Sequence, residues 1–165
     1  MSESSLLETT AEVAVAFAGF IGVFLVLARR DGRFPADDSL TIRVIVAGSV
    51  GAVFYSALPL VLHALGVSGA SLWRISSATT GLISAAVTAY MIPHLRAIPL
   101  AERYPSISLR NLVPWVLAAL MFICHLGNVL AWPWAPSGGV YLLAVWSTVA
   151  IAGTSFIVLI FRKVL

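Results

Sequence analysis

Long apolar stretches alternate along the chain with short clusters of charge. Segments free of Asp, Glu, Lys and Arg run from Val13 to Ala28, Val44 to Trp73, Ile75 to Leu95 and Asn111 to Phe161. A helix needs about 20 apolar residues to cross the roughly 30 Å hydrocarbon core of a bilayer. The first segment reaches that length when Leu6 and Leu7 extend it past Glu8 and Glu12. The last is too long for one crossing, and Pro133-Trp134-Ala135-Pro136-Ser137-Gly138-Gly139 is a run of breakers that no helix interior holds. Gly66-Val67-Ser68-Gly69-Ala70-Ser71 divides the second and third spans in the same way. The pattern therefore predicts helices over about 7–28, 40–66, 72–95, 112–132 and 140–161. Strand-length alternation of apolar and polar residues is absent, which disfavours a membrane barrel.

Composition narrows the class. Hydrophobic residues make up 60% of the 165 positions and charged residues 10%, with a mean hydropathy of +0.99. A soluble domain is roughly 45–50% apolar and about 25% charged, so a water-soluble globule is excluded, and disorder with it. One cysteine, Cys124, excludes a disulfide scaffold and multi-cysteine metal sites. The expectation is an all-α integral membrane protein: a five-helix transmembrane bundle in one domain over 1–165. No internal repeat is visible, and no connection is long enough for a soluble domain.

Charge orients the bundle. Arg29, Arg30, Arg33 and Arg43 lie in the first connection, Arg96, Arg103 and Arg110 in the third, and Arg162 and Lys163 in the tail. Five crossings put these nine on one side and Arg74 alone on the other, and basic residues are retained on the cytoplasmic face. The reading is a multi-pass inner-membrane protein with its N-terminus outside and C-terminus cytoplasmic. The acidic start, Glu3, Glu8 and Glu12, is unlike a signal peptide. Trp73, Trp132, Trp134 and Tyr141 mark the outer interface, and Tyr104 and Trp115 the inner one. Asp37, Asp38 or Ser39 is expected to cap the second helix, and Pro114 to lie near the start of the fourth. The basic flanks fit anionic lipid rather than nucleic acid.

Candidate chemistry is sparse. In the first span Ala11, Ala14, Ala18 and Gly22 recur at three- and four-residue spacing, as do Val15 and Gly19. Small residues on one face let helices approach closely, either within the bundle or between copies around an axis. Glu8 and Glu12 share a face at the outer end of this helix. In a homo-oligomer they would ring an outer mouth and concentrate cations, above an ion pathway continued by Gly19, Phe20 and Gly22. Glutamate outside with arginine inside is similar in charge order to calcium-release-activated channels, though the chain direction is reversed and no motif is shared.

A second constellation is internal. Ser77, Thr80, Ser84 and Thr88 form one stripe on the third span, suited to packing or to a hydrated path. Tyr55, Pro59 and His63 share a face of the second span, and His125 and Asn128 one of the fourth. The cluster Tyr55, His63, Ser84, His125 and Asn128 suggests packing, a proton relay, or haem b held between His63 and His125. His94 and Cys124 read as interfacial and packing residues. Phosphate loops, HExxH, GxSxG and paired intramembrane acids are missing, so no enzyme is expected. The leading expectation is a homo-oligomeric, cation-conducting channel in contact with lipid and small ions, binding no metal at a fixed site. An accessory subunit of a larger membrane complex is the alternative, and a bis-histidine haem protein a further one.

Overall fold

A computed structural model describes the backbone of residues 3–28, 36–96 and 109–164 and the side chains of most of them. Arg29, Arg30, Arg33, Arg103 and Tyr104, which carry part of the orientation and interface argument, lie outside the described residues. Five helices follow in chain order: α1 (Glu3–Ala28), α2 (Ala36–Ala64), α3 (Gly69–Arg96), α4 (Leu109–Leu130) and α5 (Gly138–Val164). Each contains a stretch long and apolar enough to cross a membrane. Among the described residues the structure is entirely helix and connection, with the five elements where the apolar runs put them.

Their ends differ from expectation in small, explicable ways. α2 begins at Ala36, ahead of the capping positions expected at Asp37, Asp38 or Ser39. α4 begins at Leu109, which makes Pro114 its sixth residue rather than one of its first. α2 ends at Ala64 because Gly66 adopts φ +89°. That left-handed residue lets Val67 N–H donate to the Leu62 carbonyl (3.0 Å) and Gly66 N–H to the His63 carbonyl (2.9 Å). These two bonds are the Schellman arrangement, which satisfies carbonyls the helix leaves open. The α4 end repeats it with Ala131 at φ 55° and Trp132 N–H on the Gly127 carbonyl (3.2 Å).

The helices alternate in direction. α2, α3, α4 and α5 form a ring in which each packs on the next and α5 closes on α2, while α1 lies outside on α2 with a lighter contact to α5. One end carries both tight hairpins and the start of α1; the other, where Arg43 and Arg96 lie, is called the basic end below. Near the hairpin end Leu7, Ala14, Ala52, Tyr55, Tyr141, Leu142 and Val145 form one buried cluster. Toward the basic end Ile21, Ile45, Phe156 and Leu159 form another, and Phe17 meets the Phe156 ring edge-on at 5.6 Å. Between helices in lipid there is little hydrophobic drive, so close van der Waals packing has to hold them. Gly48 supplies it between α2 and α5: a Cβ there would lie 3.0 Å from that of Ala152. Gly81 does the same between α3 and α4, against His125.

α1 resolves the small-residue pattern into two faces. Leu7, Thr10, Ala14 and Ile21 are buried with Phe17 between them, so this face packs on the protein's own bundle. Ala11 and Ala18 are half-buried at its margin, whereas Gly22 points away with nothing within 4 Å. The single face expected from Ala11, Ala14, Ala18 and Gly22 is therefore corrected. The packing seam keeps Ala14, and the glycine belongs to the opposite side of the cylinder.

Candidate functional site

The polar residues of the ring meet at its centre. Asn128 on α4 is fully buried and makes three hydrogen bonds. Its Nδ2 donates to Ser77 Oγ (3.1 Å) and to the Ser137 carbonyl (3.1 Å), and its Oδ1 accepts from Ser137 N–H (3.2 Å). One amide thus joins α3, α4 and the turn into α5. A turn along, Thr80 Oγ1 lies 3.3 Å from His125 Nδ1 and donates to the Ser76 carbonyl (2.8 Å). The His125 ring packs edge-on against Tyr141, 5.8 Å between centroids. Tyr141 in turn donates its hydroxyl to the Tyr55 carbonyl (2.7 Å), and the Tyr55 hydroxyl pairs with Ser84 Oγ (2.9 Å). Ser56 and Ser76 hydroxyls are buried beside this network without a hydrogen-bond partner among the described residues.

Ser77, Thr80 and Ser84 all face this interior, as the stripe on α3 implied, while Thr88 at its far end is exposed. Tyr55, Ser84, His125 and Asn128 belong to the network. His63 does not: it is exposed in the last turn of α2. The haem reading needs both imidazoles on one cavity, but His125 is 2% exposed and enclosed by Thr80, Gly81 and Tyr141. His63 and His125 thus do not share one cavity: His63 is exposed at the end of α2, whereas His125 is enclosed within the ring. Among the described residues no group of three or more His, Cys, Asp or Glu side chains is placed to hold a metal. Cys124 is buried with Met121 and Ala144, a packing position.

Tyr141 is also a correction. Expected among the interfacial aromatics, it is wholly buried, since it faces the ring from the first turn of α5. Trp132, by contrast, is exposed. Sequence reading missed Tyr141 as a core hydrogen-bond donor. The available signal was Pro59, which leaves the Tyr55 carbonyl, four residues earlier, without its helical donor.

Toward the basic end the ring opens into a cavity of about 260 Å³, lined by residues from all four helices. Leu40, Val44, Met91, Trp115 and Ile151 contribute apolar walls, and Tyr55 and Ser84 close its deep end. Trp115 and Ile92, both exposed, mark where it meets the surface.

The acidic face lies elsewhere. Glu8, Glu12, Val15, Gly19, Gly22 and Val26 are all exposed, spaced alternately by four and three residues down the outer side of α1. Nothing lies within 4 Å of a Cβ built at Gly19 or Gly22. Phe20 stands beside this seam and turns its ring toward Phe156, 5.5 Å away edge-on. Within one copy, these residues line the outside of the bundle rather than its interior.

Compared with known proteins, the chain matches no family model, no curated protein sequence and no solved structure.

Proposed function

We propose that the protein is a homo-oligomeric inner-membrane cation conductor whose copies meet along the outer seam of α1, with Glu12 and Glu8 at the outer mouth. The observation that carries this reading is the exposure of Glu12 on a seam of strict heptad spacing. A crossing of about 20 residues that ends at Ala28 starts near Thr9, so Glu12 falls about one turn inside the apolar layer. An ionised side chain facing lipid is costly, by roughly 2.5–3.5 kcal/mol at mid-membrane and less toward the edge. Facing other copies across a hydrated axis removes that cost and concentrates cations.

The same seam supports association. A repeat of 3.5 residues is the period at which helices keep one face on a partner. Gly19 and Gly22 offer lipid no side chain to pack, yet they permit close helix approach. The nine-to-one distribution of Lys and Arg supports an outward N-terminus, which turns the carboxylates outward and the arginines inward.

Purified protein in liposomes tests the reading directly. A cation flux that Glu12→Gln sharply reduces is expected, together with Val15→Cys cross-linking between copies in a Cys124→Ala background. Flux unchanged by Glu12→Gln removes the carboxylate from the pathway. A monomer that neither cross-links nor conducts overturns the proposal, and a co-purifying membrane partner in that case identifies the accessory-subunit alternative.

A further inference from the structure

We infer that the cavity between α2, α3, α4 and α5 is a binding site for a membrane-dissolved molecule with an apolar body and a leading carbonyl oxygen, the chemistry of a substituted quinone ring. This inference is independent of α1, which contributes no residue to the cavity.

Volume limits the ligand first. About 260 Å³ is below the roughly 300–1,000 Å³ of pockets that enclose drug-sized molecules. The cavity takes one ring or one short chain segment, and the rest of a longer molecule extends through the opening beside Trp115. The walls are almost entirely apolar, so the enclosed part of the ligand is apolar.

Polarity at the deep end then selects the chemistry of the tip. Tyr55 and Ser84 hydroxyls share one hydrogen bond of 2.9 Å. Two hydroxyls carry two protons and their mutual bond uses one, so the pair retains a donor whichever way it is oriented. Among the described residues neither hydroxyl has a further hydrogen-bond partner. The other hydroxyls lining the cavity are already committed as donors, Thr88 to the Ser84 carbonyl (2.8 Å) and Thr148 to the Ala144 carbonyl (3.2 Å). One donor at the end of an apolar tunnel favours a ligand that presents one acceptor there. A buried donor left unmatched is costly, so a carbonyl is preferred over a plain hydrocarbon.

Trp115 in the wall gives a built-in reporter. Decylubiquinone titrated into the full-length protein in nanodiscs is expected to quench tryptophan emission saturably, above the linear quenching of partition into lipid. Trp115→Phe should remove most of that saturable component. Tyr55→Phe combined with Ser84→Ala, which removes both hydroxyls, should weaken apparent affinity about tenfold, the loss of one hydrogen bond worth about 1.4 kcal/mol. The substitutions leave the Tyr55 carbonyl, and hence the Tyr141 contact, in place. Ala118→Phe, which fills the cavity, should abolish saturation, with size-exclusion elution and thermal unfolding confirming that the variant is folded. Quenching that never saturates, or that survives Ala118→Phe in folded protein, overturns the site. Equal displacement of the quinone by dodecane overturns the carbonyl assignment and leaves an acyl-chain cleft.

Discussion

The Tyr141 hydroxyl donates to the backbone carbonyl of Tyr55 across 2.7 Å, and that carbonyl is the one Pro59 leaves without a helical donor. In an uninterrupted α-helix the residue 59 N–H would satisfy it. Proline has no N–H, and in an apolar interior the freed carbonyl must find another partner. α5 supplies it from a side chain with no exposure at all. The contact ties α2 to α5 at the level where the polar network gives way to the cavity.

Tyr141→Phe should therefore destabilise the protein by about 1–3 kcal/mol, the usual cost of an unsatisfied buried group. Pro59→Ala restores the helical donor, so the double variant should lose much less than the sum of the single changes. Unfolding in mixed micelles across the four-variant cycle measures the coupling. Additive losses would show that the hydroxyl does not act through the carbonyl that Pro59 frees.

Asn128 and Ser76 are both fully buried, yet they should respond oppositely to truncation. Asn128→Ala strands Ser77 Oγ and the Ser137 amide and is expected to cost about 2–3 kcal/mol. Ser76→Ala removes a hydroxyl that has no partner among the described residues and is expected to be neutral or stabilising. The same unfolding measurement on the two single variants decides it; a large loss from Ser76→Ala would reveal a partner for that hydroxyl.

Two glycines separate packing within a copy from packing between copies. Gly48→Leu drives a side chain into Ala152 and the Thr148 carbonyl, and overpacking of this kind costs at least about 1–3 kcal/mol. Gly19→Leu meets nothing within 4 Å. It should leave unfolding unchanged while lowering the apparent mass of the oligomer. Light scattering in detergent alongside thermal melts distinguishes the two. A Gly19→Leu assembly of unaltered mass would place the subunit contact elsewhere.

Gly127 lies under the Trp134 indole, where a Cβ would approach the ring to 2.6 Å. Gly127→Ala should push Trp134 outward and shift its emission to longer wavelength. The difference spectrum against Trp134→Phe isolates that residue. An unshifted spectrum would mean that α4 moves instead of the ring.

Five helices and their approximate ends were legible in the chain because each apolar run is bounded by charge or by Gly and Pro, signals that act over a few residues. The α3 stripe of Ser77, Thr80 and Ser84 was legible for the same reason, since helical period alone puts those positions on one side. Facing and partnership were not. His63 and His125 look alike as isolated intramembrane imidazoles, but one is exposed at a helix end and the other enclosed by α3 and α5. Tyr141 looks interfacial from its place near a turn, and only the closure of the ring turns it inward to the carbonyl at Tyr55. On α1, three- and four-residue spacing marks small positions without saying which flank meets the bundle. Hydropathy and helical period are properties of neighbouring residues, so the linear chain carries them. Which helix stands opposite a given face is set by the packing of segments far apart in the chain, as between Tyr55 and Ser84, 29 residues apart, or Tyr55 and Tyr141, 86 apart, and that pairing decided the cavity, the buried network and the outward seam.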